Sequence, residues 1–94
     1  MENFKQELQK QTKLLIEEIK KVCNEIYEKA GGLDGFDIQI NTLGQEVNIY
    51  EFKINDDMNT MYIISDCFDF NIECLYYEQL YEIYIQLKGC LEYL

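Results

Sequence analysis

The sequence predicts an α+β fold in two layers, ordered α-β-β-β-α: a long N-terminal helix, a three-stranded antiparallel meander and a C-terminal helix. Three observations predict it. Apolar residues recur at a 3.6-residue period over 3–30, three short β-branched stretches follow between turn signals, and the chain ends on a segment both apolar and acidic over about 69–93. A chain of 94 residues makes one domain, residues 1–94, of modest stability.

The first helix, about 3–30, carries Phe4, Leu8, Leu15, Ile19, Val22 and Ile26 on one stripe, widened by Ile16, Cys23 and Ala30. Its other face is charged and self-compensating, with Glu17–Lys21 and Glu25–Lys29 as i,i+4 pairs in the favourable order. Gly31 and Gly32 end it. The helix reads as scaffold, and its near-heptad seam could also serve as a dimer contact.

"FDIQINT" (36–42) alternates, with Phe36, Ile38 and Ile40 on one face, and reads as a strand. "LGQ" turns the chain. "EVNIYEFKI" (46–54) has Val47 and Ile49 on one face and Tyr50, Phe52 and Ile54 on the other, which predicts a central strand or a bulge. "NDDMN" (55–59) is a polar turn and "TMYIIS" (60–65) a third strand. Short connections favour a meander.

The last helix, about 69–93, is expected to start within "SDCFDFN", where Ser65, Asp66, Asp69 and Asn71 are all candidate N-caps. A helical wheel gives it two apolar stripes. Ile72, Tyr76, Leu80, Ile83, Leu87, Cys90 and Leu94 form the first; Cys74, Tyr77, Tyr81, Tyr84 and Ile85 form the second, with Glu78 and Glu82 on a ridge between. Gly89 is an alternative end. One stripe suffices to cover a three-stranded sheet. The second is then buried by the first helix, by a twin subunit or by a partner, and tyrosine suits a partner because it joins contact area to a polar tip.

Charge is divided unevenly. Residues 1–30 hold six Lys and six Glu, which cancel; residues 31–94 hold two Lys against twelve acids, a net of −10. Such a surface repels nucleic acid and anionic lipid and is steered to a basic surface. Solubility alone is the plainer explanation of the acidity. Ile, Asn, Lys, Tyr, Phe and Met fill 43 positions and Arg and Pro none, the mark of an AT-rich gene. The polar beginning "MENFKQELQKQ" reads as no signal peptide, and no apolar run approaches membrane-spanning length. The expected place is therefore the cytoplasm of an AT-rich bacterial host.

Chemistry is scarce. There is no histidine, so neither the usual general base nor a Ser–His or Cys–His pair can form. The cysteines, at 23, 67, 74 and 90, have no C-x-x-C spacing and read as reduced thiols. "LDGFD" (33–37) and "NDDMN" (55–59) lack the alternating ligands of a calcium loop and read as ordinary turns. No catalytic residue, metal site or cofactor is expected. The α-β-β-β-α order is also that of double-stranded RNA-binding domains, but the lysines those carry at the second helix are replaced here by "SDCFDFNIEC".

The leading expectation is an acidic, non-enzymatic binding protein. Its acids at Asp34, Asp37, Asp56, Asp57, Asp66, Asp69, Glu73, Glu78 and Glu82 would imitate phosphates in the groove of a basic nucleic-acid-binding enzyme. Tyr77, Tyr81 and Tyr84 would be the desolvated anchors. In size, acidity and helix–sheet–helix order the chain resembles the small phage-encoded anti-CRISPR proteins. The resemblance covers the whole chain, rests on no motif and carries no residue over; it implies inhibition of a CRISPR effector nuclease by nucleic-acid mimicry. A small homodimeric adaptor or chaperone, whose dimer seam is the tyrosine stripe, and a toxin-immunity protein are the alternatives.

Overall fold

The computed structural model describes residues 2–31, 38–55 and 60–93. Along the chain come α1 (Glu2–Ala30), β1 (Ile38–Thr42), β2 (Gln45–Asn55), β3 (Thr60–Ser65), β4 (Asp69–Asn71), a 3-10 turn (Ile72–Cys74) and α2 (Tyr77–Glu92). The four strands form one antiparallel sheet in the order β1-β2-β3-β4. The α+β class stands as expected, and the strand count is four rather than three.

α1 follows its stripe. Leu15, Ile19, Val22, Cys23 and Ile26 are buried in a single core together with inward residues of every strand and with α2. Gly31 closes the helix at φ 69°, where a Cβ is disfavoured. The expected Glu17–Lys21 and Glu25–Lys29 pairs do not form. Glu17 instead meets Lys20 at 3.7 Å and Glu18 meets Lys21 at 3.5 Å, both i,i+3. One turn of helix brings either spacing within reach, and Lys20 also extends to Glu73 at 3.5 Å.

β1 and β2 form a hairpin whose two loop residues, Leu43 and Gly44, both lie at positive φ (52° and 84°), while Thr42 pairs with Gln45. Positive φ at both loop positions matches the right-handed strand twist. The double-sided apolar pattern of β2 resolves as a bulge between Ile49 and Glu51. The extra residue sends Tyr50 and Glu51 outward and returns Phe52 inward opposite Ile63, so Val47, Ile49 and Phe52 all serve the helix-covered side.

The largest departure lies after β3. An eight-residue helical start was expected from 69, but Phe70 is drawn into the core opposite Ile63 between outward Asp69 and Asn71. That alternation makes a strand. The Asn71 side chain then accepts the Glu73 N–H (2.9 Å) and caps the 3-10 turn rather than α2. Leu75 and Tyr76 are extended, and α2 begins only at Tyr77, with the Gln79 side chain accepting the Tyr76 N–H at 3.0 Å. Ser65, another candidate cap, instead bridges the backbone of Phe68, accepting its N–H at 3.1 Å and donating to its carbonyl. Gly89 does not end α2.

β1 is an edge strand, and α2 covers part of it. The Gln86 amide accepts the Asn41 N–H (2.6 Å) and donates to the Asn41 carbonyl (2.7 Å), completing one rung as a neighbouring strand would. No helix among the described residues is long and apolar enough to cross a membrane.

Candidate partner-binding surface

The two stripes expected on the last helix are rearranged by its later start. Leu80, Ile83, Leu87 and Leu91 form the buried face of α2. Ile72 is buried, but from the 3-10 turn; Tyr76, expected in the core stripe, is 80% exposed because it precedes the helix in extended conformation. Leu91 takes the place that the wheel gave to Leu94, which lies outside the described residues.

The tyrosine stripe splits. Tyr77 and Tyr84 are half-buried against the core, whereas Tyr81 and Ile85 remain about half exposed, at 50% and 49%. The Tyr77 ring lies stacked beside Tyr81, with centroids 6.3 Å apart and planes at 21°. Lys88 Nζ sits 5.9 Å from the Tyr84 ring centre. The outward face of α2 therefore reads Glu78, Tyr81, Glu82, Ile85, Lys88 and Glu92. Among the described residues, none of the ion pairs involves Glu78, Glu82 or Glu92.

The other acids singled out in the sequence go elsewhere. Asp66 accepts the Asn48 N–H (2.9 Å) and the Asn48 side-chain amide (3.1 Å), while its own N–H bonds the Asn48 carbonyl at 3.0 Å. It ties the chain after β3 to β2. The Asn48 backbone N–H, foremost, holds its carboxyl below the ordinary value of 3.8. Asp69 stands on the sheet face turned away from the helices. Glu73 is engaged with Lys20. Asp56 and Asp57, like Asp34 and Asp37, lie outside the described residues. Of the expected site, the structure brings together Tyr77, Glu78, Tyr81, Glu82 and Tyr84.

A second feature was not singled out in the sequence. Between the N-terminal half of α1 and the start of α2 runs an open groove of about 630 Å³. Leu8, Thr12 and Ile16 make one wall and Leu75, Tyr76 and Tyr77 the other, with Lys13 and Glu78 also lining it. It was not legible in the sequence, where a last helix over about 69–93 is nearly as long as the first; the groove opens because α2 begins only at Tyr77.

Burial pushes the Cys23 thiol far up and the Cys90 thiol up; partial loss of hydration, then the neighbouring Asp66 carboxylate, push Cys67 up. These thiols are moved away from the nucleophilic thiolate form. Among the described residues no three Cys, Asp or Glu side chains converge to hold a metal ion. No protein-family model matches this chain, and neither a curated protein nor a solved structure matches it.

Proposed function

We propose that the protein is a non-enzymatic acidic binding protein. It docks the outward face of α2 on a basic nucleic-acid-binding enzyme, such as a CRISPR effector nuclease, in the cytoplasm of an AT-rich bacterial host. The observation that carries the reading is the set of carboxylates, Glu78, Glu82 and Glu92, that enter no ion pair among the described residues, around the half-exposed Tyr81 and Ile85. Carboxylates not engaged within the chain can meet lysines and arginines of a partner. An aromatic ring and an aliphatic side chain at their centre supply the area that is desolvated on contact. Asp66 and Glu73 are left out of this surface because their partners lie within the chain.

The test is capture of the target on immobilised protein, release by rising salt, and a nuclease assay on what is released. One basic nucleic-acid-binding protein is expected to elute at a defined salt concentration and to lose activity when the chain is added back. The variant Tyr81→Ala with Glu82→Lys should retain neither effect while keeping its circular dichroism spectrum. Undiminished inhibition by that folded variant sinks the assignment of α2.

A further inference from the structure

α1 is longer than the body that supports it. Its 29 residues span about 43 Å, against a long molecular dimension of 47 Å, whereas α2 has 16 residues. The core seam of α1 runs in heptad steps through Leu8, Thr12, Leu15, Ile19, Val22 and Ile26. From Leu15 onward it is buried, yet Leu8 is 45% exposed and Thr12 half-buried. Leu8 is the seam's next leucine, lining the groove and left about half exposed.

We propose that this groove receives a second copy of the chain, each copy laying the 6–16 stretch of its own α1 into the other's groove about a two-fold axis. Charge selects this occupant. Residues 31–94 carry −10, so two copies meeting through the sheet or the outer face of α2 would stack like charges. α1 as a whole carries no net charge, and its 6–16 stretch, with Lys10 and Lys13 against Glu7, can face the Glu78 side of the other copy's groove without stacking acids. The same geometry points Lys13 of one copy at Glu78 of the other, twice over, since these two residues line the groove and enter none of the ion pairs among the described residues. Leu8 of each copy meets Tyr76 and Tyr77 of the other, the apolar centre that a symmetric contact requires. A helix segment of this length buries less than the roughly 800 Å² per partner of a standard interface, so the dimer is weak, about micromolar or looser. Paired in this way, the copies engage Glu78 but leave Tyr81, Glu82, Ile85 and Glu92 of each outward α2 face free.

The test is sedimentation of the intact chain over roughly 1–500 μM, where weak dimers populate. The mass should rise from 11.3 kDa towards twice that value. Leu8→Glu should raise the dissociation constant about tenfold or more, with circular dichroism unchanged because the side chain is half exposed. Lys13→Glu alone should weaken association, and Lys13→Glu combined with Glu78→Lys should restore it. That rescue is independent of how Leu8→Glu folds. A monomer at every concentration overturns the proposal, as does a dimer indifferent to all these variants. A dimer broken by Tyr81→Glu but not by Leu8→Glu overturns it too, by moving the seam to the outer face of α2.

Discussion

α1 is buried along its C-terminal half alone, whereas α2 is buried from Leu80 to Leu91 and is further fixed to β1 through Gln86. Their charges differ in the same sense. Glu17 and Glu18 of α1 are matched one turn away by Lys20 and Lys21, and among the described residues no ion pair matches a glutamate of α2. Local pairs stabilise a helix by a few tenths of a kcal/mol each, while a buried apolar face contributes several times more. A helix anchored along its whole length can therefore leave its carboxylates unmatched and available to a partner. A helix that overhangs its core relies more on local propensity over the overhanging turns.

The strongest test of that contrast compares two leucines, one on each helix. Leu87, fully buried on α2, should cost about 2–5 kcal/mol when changed to Ala, a large part of the stability of a small domain. Leu8→Ala on the overhang of α1 should stay within about 0.5 kcal/mol, measured by urea unfolding at concentrations where the chain is monomeric. Equal losses would mean that the overhang is supported within the monomer after all.

Next is the polar clamp. Gln86→Ala should cost about 1–2 kcal/mol, because the Asn41 N–H and carbonyl lose their partner at the sheet edge. Gln86→Glu retains the acceptor but not the donor and should fall between the two. An alanine variant as stable as the parent would show that water replaces the amide at no cost. Gly89→Ala changes α2 in the opposite direction. A Cβ there meets nothing within 4 Å and the backbone is helical, so the variant should gain about 0.5–1 kcal/mol. A loss instead would reveal strain at that turn.

How much of this was legible in the sequence depended on how long each pattern ran. α1 was readable because its period persists for eight turns, and β2 was readable as a central strand or a bulged one because apolar residues fell on both of its faces. β4 was not, because a three-residue strand contributes a single inward side chain, Phe70, and its flanking Asp69 and Asn71 are also good helix caps. Once α2 was begun too early, Tyr76 was carried into a core stripe that it does not join. For the candidate surface, the tyrosines and glutamates of α2 were identified, but not which acids are already engaged. Asp66 and Glu73 meet partners distant in sequence, Asn48 and Lys20, which no local pattern reveals. Gln86 gave no signal for the same reason.

Asp66 offers a pH test of that long-range use. Its carboxyl is held below 3.8 in the folded chain, so the ionised form favours folding. That contribution is complete above the unfolded value and is lost as pH falls through the lower, folded one. Stability measured from about pH 5 downward should therefore fall less steeply in Asp66→Asn than in the parent. Parallel curves would mean that Asn48 binds the neutral acid equally well. The effect is smaller than those above, because the carboxylate is exposed and screened.

The smallest expected effect bears most directly on the comparison of the helices. Glu78 and Glu82 are like charges four residues apart on α2, an arrangement that destabilises a helix slightly. Glu82→Lys converts them into an i,i+4 pair with the glutamate first, the favourable order on a helix. It should raise stability by about 0.2–0.5 kcal/mol and lower affinity for a basic partner. Opposite signs from one substitution separate two explanations of the acidity. If the glutamates serve only solubility, stability rises and no binding is lost; if they are held in reserve for a partner, the gain in stability is accompanied by a loss of inhibition. The repulsion built into α2 is then a local cost that its long buried face readily absorbs.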